Sequence, residues 1–179
     1  MQPWKRKKSM MRQPKYVTVF EPLERELLGD EAARVAEALM QRCQSAPKDD
    51  LAELTGMPSG HTEAPRDPSL ARLLPDFERA DDESFDGENG LMRSLHESDI
   101  ARSKLMNLQR IGEALGPSGN VAVQLDEEDA NAWVAGLNDI RLFLAASEPE
   151  TEEEERDRDE FVEWLAYNQD TLLEALMAE

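Results

Sequence analysis

Val121-Ala122-Val123-Gln124-Leu125-Asp126-Glu127-Glu128-Asp129 holds a strand, a stop and a helix start in one short run. Its first five residues are mostly β-branched or aliphatic and read as a short strand. Asp126 stands where a side-chain oxygen can cap a helix, and the acids behind it meet the positive end of the helix dipole. Beyond them Trp133, Leu137, Ile140 and Leu144 recur at helical spacing and lay one apolar stripe. A short strand that runs straight into a long amphipathic helix points to a mainly helical fold with little sheet.

The same arrangement occurs near the start of the chain. Tyr16-Val17-Thr18-Val19-Phe20 reads as a strand, and Glu21-Pro22 opens a helix, where proline's missing N–H would be unpaired anyway. Leu28, Ala32, Val35 and Leu39 form that helix's apolar face, and Cys43 continues it. A lone strand leaves backbone groups unpaired, so 16–20 and 121–125 are expected to pair. Residues 44–66, with Pro47, Gly56, Pro58, Gly60 and Pro65, read as a loop with one helical turn at Asp50–Leu54. Asp67 caps a short helix that Pro68 starts and Pro75 stops. Residues 76–90 hold seven acids and one base and read as a second loop. Ser94 and Glu97 have capping-box spacing, with an earlier start near Leu91 left open, and Ala101, Leu105, Leu108, Gly112 and Leu115 face the core along a long helix. That helix ends at Gly116-Pro117, before the turn Ser118-Gly119-Asn120. Residues 148–160, with nine acids, read as an acidic linker to a last helix carrying Phe161, Leu165, Leu172 and Leu176, with Trp164 and Leu173 beside them. The expectation is mainly α: about five helices and a two-stranded antiparallel β-ribbon. One domain over 16–179 follows a basic flexible arm, 1–15.

The charge is divided just as unevenly. The 179 residues carry a net charge of −19. Residues 1–15 hold Lys5, Arg6, Lys7, Lys8, Arg12 and Lys15 and no acid, a charge of +6. The rest has 14 bases against 39 acids, or −25. A body this acidic repels nucleic acid, which leaves the first 15 residues, opened by Trp4, as the candidate contact with phosphate or an acidic partner protein, unless the arm folds back on the chain's own acidic body. On the long helix, Arg102, Lys104 and Arg110 make a modest positive stripe at best. The apolar runs are only a few residues long, against the roughly 20 needed to span a bilayer. No apolar segment follows the basic start as in a secretory signal, so a cytoplasmic location without membrane contact is expected.

The search for chemistry returns mostly negatives. His61 and His96 lack further ligands at metal spacing, and no metal or cofactor is expected. Asp82, Ser84, Asp86 and Gly87 fit the opening of a calcium loop, but Arg93 stands where the bidentate Glu belongs. Gly116–Gly119 precedes a strand, not a helix, and so makes no phosphate cradle. With 39 acids, close carboxylate pairs arise from composition alone, and no nucleophile–base set stands out, so no enzyme is expected. Cys43 reads either as a small apolar residue at a helix end or as a redox-active thiol beside Arg42. Asn138, Asp139 and Arg141 interrupt an apolar run and read as a network tying their helix to a neighbour. Tyr167 and Leu173 are interface candidates and, with the lone Cys43, suggest a homodimer.

Several segments, taken in order, carry a resemblance. They are Trp4-Lys5-Arg6, the Val17–Phe20 strand and Asp67-Pro68-x-Leu70-x-x-Leu73-x-Pro75-Asp76. Then come Leu125-x-x-x-Asp129-Ala130-x-Ala132-Trp133, Leu137-Asn138-Asp139-Ile140-Arg141-Leu142 and Trp164-Leu165-x-x-x-Gln169-x-x-Leu172. Nearly end to end, the chain resembles the actinobacterial AosR-type family. The resemblance implies a cytoplasmic, non-enzymatic transcriptional regulator of oxidative-stress responses, acting with a stress sigma factor or at promoters. Some members carry a Cys-x-x-x-Cys pair that closes an internal disulfide. Here Cys43 is the sole cysteine, so that switch is chemically impossible. A Cys43–Cys43 bridge between chains, a mixed disulfide, or no thiol switch remains. Two modes of action follow: contact with a sigma factor or other transcription protein, or direct promoter binding through the basic arm.

Overall fold

The strand expected at 16–20 is the middle of a sheet, with a partner on each side. The computed structural model describes residues 2–9, 12–47, 60–77, 85–117, 119 and 121–178. In it β1 (Lys5–Ser9), β2 (Arg12–Val19) and β3 (Ala122–Leu125) form an antiparallel sheet in the order β1-β2-β3. Lys5 lies opposite Val17 and Arg6 opposite Tyr16, while Tyr16 and Thr18 face Leu125 and Val123 on the other side. The two-stranded ribbon is thus corrected to three strands, and the flexible arm to an ordered strand over Lys5–Ser9. Lys and Arg are weak strand formers, but pairing satisfies the outer edge of β2 and lets Trp4 enter the core. Tertiary context outweighs local preference.

Five helices follow among the described residues: α1 (Pro22–Gln44), α2 (Pro68–Leu73), α3 (Phe85–Leu115), α4 (Glu127–Ala145) and α5 (Glu152–Met177). Most start as their caps dictate. The Asp67 side chain accepts from the Leu70 N–H at 2.7 Å, and Asp126 accepts from the Asp129 N–H at 2.9 Å. Leu28, Ala32, Val35 and Leu39 are the buried stripe of α1, as read from the spacing. At the other end of α3, the Arg25 guanidinium donates to the Leu115 carbonyl at 3.1 Å and also to that of Gly116. A cation there satisfies carbonyls the helix leaves open and meets its negative end. Gly116 has φ of 61°, the left-handed turn that ends a helix with least strain in glycine.

Three boundaries and faces differ from expectation. α3 begins at Phe85, so the second loop is shorter than 76–90 and Ser94 is not a cap. The Ser94 hydroxyl donates to the Leu91 carbonyl inside the helix, and Glu97 bonds to arginines instead. Ile111, fully buried, takes the core place expected of Gly112, which is exposed. The acidic linker is helical from Glu152, where the Thr151 hydroxyl accepts from the Glu154 N–H at 3.1 Å and four glutamates occupy the first turn. Acids favour that end of a helix, so the charge run helps α5 begin. The turn expected at Asp50–Leu54, residues Asp82 and Ser84 of the loop resembling a calcium site, and Ser118 and Asn120 of the later turn lie outside the described residues.

α3 lies between α1 and α4, α4 packs on α5, and the sheet lies against α4 and α5. An aromatic cluster joins them: Trp4 meets Trp133 edge-on at 5.4 Å and Phe20 at 6.1 Å, and Phe20 meets Trp164 at 5.5 Å. No helix among the described residues is long and apolar enough to cross a membrane.

Candidate partner-binding surfaces

The basic segment is divided by the strand period of two. Trp4 turns inward and is 4% exposed, which corrects its assignment as a contact residue: it is a core aromatic. Arg6 is half-buried, whereas Lys5, Lys7 and Lys8 are exposed. Lys7 lies directly opposite Lys15 across the β1–β2 pair, a like-charge pairing that costs stability. The side chain of Arg12 lies outside the described residues. Beside Lys5 and Lys7, a hollow of about 340 Å³ includes Val17 and Gln124. The positive stripe of α3 is largely neutralised. Lys104 pairs with Asp139 at 2.6 Å, and Arg110 pairs with Glu128 and Asp129 at 2.6 and 2.5 Å.

The polar run of α4 forms two separate contacts. Arg141 donates to the Asn138 side-chain oxygen at 3.1 Å within the helix, while buried Asp139 reaches Lys104 on α3. Burial pushes the Asp139 carboxyl above its ordinary range, and Lys104 offsets part of that. Tyr167 and Leu173 on α5 are both half-buried.

A second charge cluster joins α1, α3 and the segment before α3. The Glu97 carboxylate accepts from Arg42 Nε at 2.7 Å and from Arg93 Nη1 at 2.5 Å. Arg93 has no exposed surface and also donates to the Leu74 carbonyl at 3.1 Å and to Asp76 at 2.7 Å. Hydrogen bonds from Asn89 and then Arg93 hold the Asp76 carboxyl below its ordinary range. Cys43 lies half-buried near this cluster. Its thiol is pushed up first by burial and then by Glu97, against the opposing charges of Arg102 and Arg42. A raised pKa lowers the thiolate fraction that reacts with oxidants.

At the opposite end of α1 from Arg42 and Cys43, the start of that helix, the end of α4 and the first half of α5 enclose a groove of about 870 Å³. Leu23, Leu27, Phe161 and Trp164 contribute apolar surface, and Glu148, Asp157 and Glu160 line it as well. Leu23 is 65% exposed and Leu27 43%. The groove is braced beneath: Trp164 Nε1 donates to Glu24 at 2.8 Å, and Arg158 donates to the Ser147 carbonyl at 3.0 Å.

Over residues 1–176 the sequence matches the family described as a domain of unknown function, DUF2017. The chain belongs to the DUF2017 family. Among its curated relatives is the oxidative stress regulator AosR of Mycobacterium tuberculosis, 39% identical over 140 residues. The Mycobacterium bovis protein of the same name matches equally well, and the Mycobacterium leprae AosR protein is 36% identical over the same length. Each match covers 73% of this chain and 64% of the relative. No solved structure matches.

Two features of this DUF2017 chain escaped the sequence reading. Arg93 and Glu97, four apart, carried the i,i+4 signal of an ion pair, but the nearer Ser94–Glu97 spacing suggested a cap. The groove had one trace: Leu23 and Leu27 lie off the α1 stripe of Leu28, Ala32, Val35 and Leu39.

Proposed function

We propose that this chain is a non-enzymatic regulator of the oxidative-stress response that acts by contact with a transcription protein such as a sigma factor. The observation that carries this reading is family membership together with curated relatives named as oxidative stress regulators. Charge supports protein contact over DNA contact: outside residues 1–15 the chain is −25, and transcription proteins offer basic surfaces to such a body. The reading places the chain in the cytoplasm and treats a homodimer, and Cys43 as its one redox-capable atom, as parts of the same proposal. The test is co-purification from peroxide-treated and untreated cells. Recovery of a transcription component that changes with peroxide is expected, and recovery of none from either culture would overturn the reading.

One observation favours a second reading, direct promoter binding: Lys5, Lys7 and Lys15 share the outer face of the sheet. Deleting residues 1–15 would remove a strand and Trp4, so charge removal is the cleaner test. If these lysines touch phosphates, Lys5→Gln/Lys7→Gln/Lys15→Gln reduces the slope of log affinity against log salt by about 3. An unchanged slope in a gel-shift titration would dismiss DNA contact by this face.

A further inference from the structure

We propose that the groove between α1, α4 and α5 docks an amphipathic helix of a partner protein whose apolar face is flanked by Lys and Arg. This rests on the protein-contact reading above and names the surface and the chemistry of its partner. Leu23 and Leu27 stand one helical turn apart beside the core stripe of α1 and remain exposed. Across from them Phe161 and Trp164 are stacked at 5.3 Å. Apolar side chains at such spacings match the i, i+3, i+4, i+7 anchors of a helix laid into a groove.

The charge around this floor selects a basic flank. Both arginines of the lining are already engaged: Arg34 with Glu31 at 2.7 Å, and Arg158 with Asp159 at 2.7 Å. Glu148, Asp157 and Glu160 have no ion-pair partner among the described residues. The acids of the rim therefore face the groove uncompensated, over apolar surface that water solvates poorly. An acidic helix would meet repulsion there, and a purely apolar one would leave the carboxylates without counter-charge. The walls are fixed by the Trp164–Glu24 and Arg158–Ser147 hydrogen bonds, so docking requires little rearrangement.

The test titrates the full chain with a synthetic helical peptide carrying Leu at positions i, i+3, i+4 and i+7 between Lys and Arg, labelled for anisotropy. A second peptide replaces every Lys and Arg with Glu. The basic peptide is expected to bind, and the acidic one to bind at least about tenfold more weakly. Leu23→Asp/Leu27→Asp, at exposed positions, should weaken binding about tenfold or more with the urea midpoint unchanged. Glu148→Gln/Asp157→Asn/Glu160→Gln should weaken it several-fold in low salt and much less at 1 M salt, where charges are screened within about 3 Å. Equal binding by the Leu variant, equal binding of the acidic peptide, or no binding would overturn the proposal. So would a wild-type dimer that Leu23→Asp/Leu27→Asp converts to monomer by light scattering, since a second copy would then be the occupant. Co-purification separates this inference from the reading it rests on. A transcription component retained by wild type and Leu variant alike leaves that reading standing and removes the groove. If wild type retains none, the reading fails, and the peptide titration still decides the groove.

Discussion

Replacing Glu97 with Gln should be among the costliest single-atom changes in this chain. Glu97 is 7% exposed in its side chain and sits between Arg42 and Arg93, whose side chains are 12% and 0% exposed. It accepts at 2.7 Å from Arg42 Nε, at 2.5 Å from Arg93 Nη1, and at 3.3 Å from Arg42 Nη2. Gln keeps the shape but turns one acceptor into an N–H₂ aimed at a guanidinium. Arg93 then keeps only Asp76, a carboxylate 40% exposed in its side chain, and Arg42 is left with no carboxylate partner among the described residues. Breaking a buried ion pair from one side costs about 3–5 kcal/mol. Arg42 still holds the Glu63 carbonyl at 2.5 Å, which favours the lower end, about 3 kcal/mol. With a urea m-value of about 2 kcal/mol/M, the midpoint should fall by about 1.5 M. Equilibrium urea unfolding followed by tryptophan fluorescence reads this directly. Glu155→Gln, in the exposed 3.6 Å pair with Arg158, should cost less than about 0.5 kcal/mol. Replacing Arg42, Arg93 and Glu97 together with Met should cost less than Glu97→Gln, because the one ion-pair partner it strands among the described residues, Asp76, is 40% exposed in its side chain and keeps its hydrogen bond from Asn89. A Glu97→Gln loss below about 1 kcal/mol, or a triple variant weaker than the single, would refute the argument.

Three further outcomes are expected. Trp4→Ala should lose about 3–5 kcal/mol, the range for a buried aromatic, and an unchanged thermal midpoint would show the N-terminal segment to be free after all. Because burial raises the Asp139 pKa, its folded form favours the proton; the stability it adds is full below the unfolded value near 3.9 and is lost as pH rises through the folded value. Wild type should therefore gain on Asp139→Asn as pH falls from 7 towards 4, and a difference in urea midpoint that is flat or of opposite sign would contradict this. Two glycines should respond differently to alanine. At Gly60 a Cβ would lie 2.5 Å from the Ser94 carbonyl oxygen, which is backbone, and the expected loss is about 1–3 kcal/mol. At Gly136 the close approach is to the tip of Ile111 at 2.7 Å, while the Asn107 carbonyl lies at an ordinary 3.5 Å, so Gly136→Ala should be milder and eased further by Ile111→Val; calorimetric melting of both variants checks the order.

Where the chain's own local chemistry decides, the sequence was readable. Asp67 and Asp126 cap helices as their positions implied, and the apolar spacing of α1 and most of α4 named the buried residues. It failed where distant partners decide. Lys5–Ser9 has no strand composition of its own, and its pairing with β2 and the anchoring of Trp4 beside Trp133 make it one. Glu97 fits a capping box until Arg42, 55 residues away in sequence, claims its carboxylate. The acids of 152–155 read as solvated linker because charge runs suit both states, and Thr151 with the dipole tips the balance to helix. The groove needs three helices in place, and no local pattern encodes that. For the candidate surfaces, the basic residues were visible but their division between the two faces of β1 was not.

The position of Trp4 bears on how the chain comes off the ribosome. Its backbone N–H reaches Thr171, 167 residues later, and Glu24 waits 140 residues for Trp164. β1 and β2 can meet as soon as both have emerged, but β3 and the helices that cover their inner face come much later. Contacts of such long range slow folding, since the chain loses loop entropy before they reward it. Through most of synthesis, therefore, an apolar sheet face and a basic hairpin stand open beside a growing acidic chain. Closure waits for α5, so a ribosome stalled before residue 164 holds a chain that lacks part of its aromatic core and is exposed to aggregation and proteolysis.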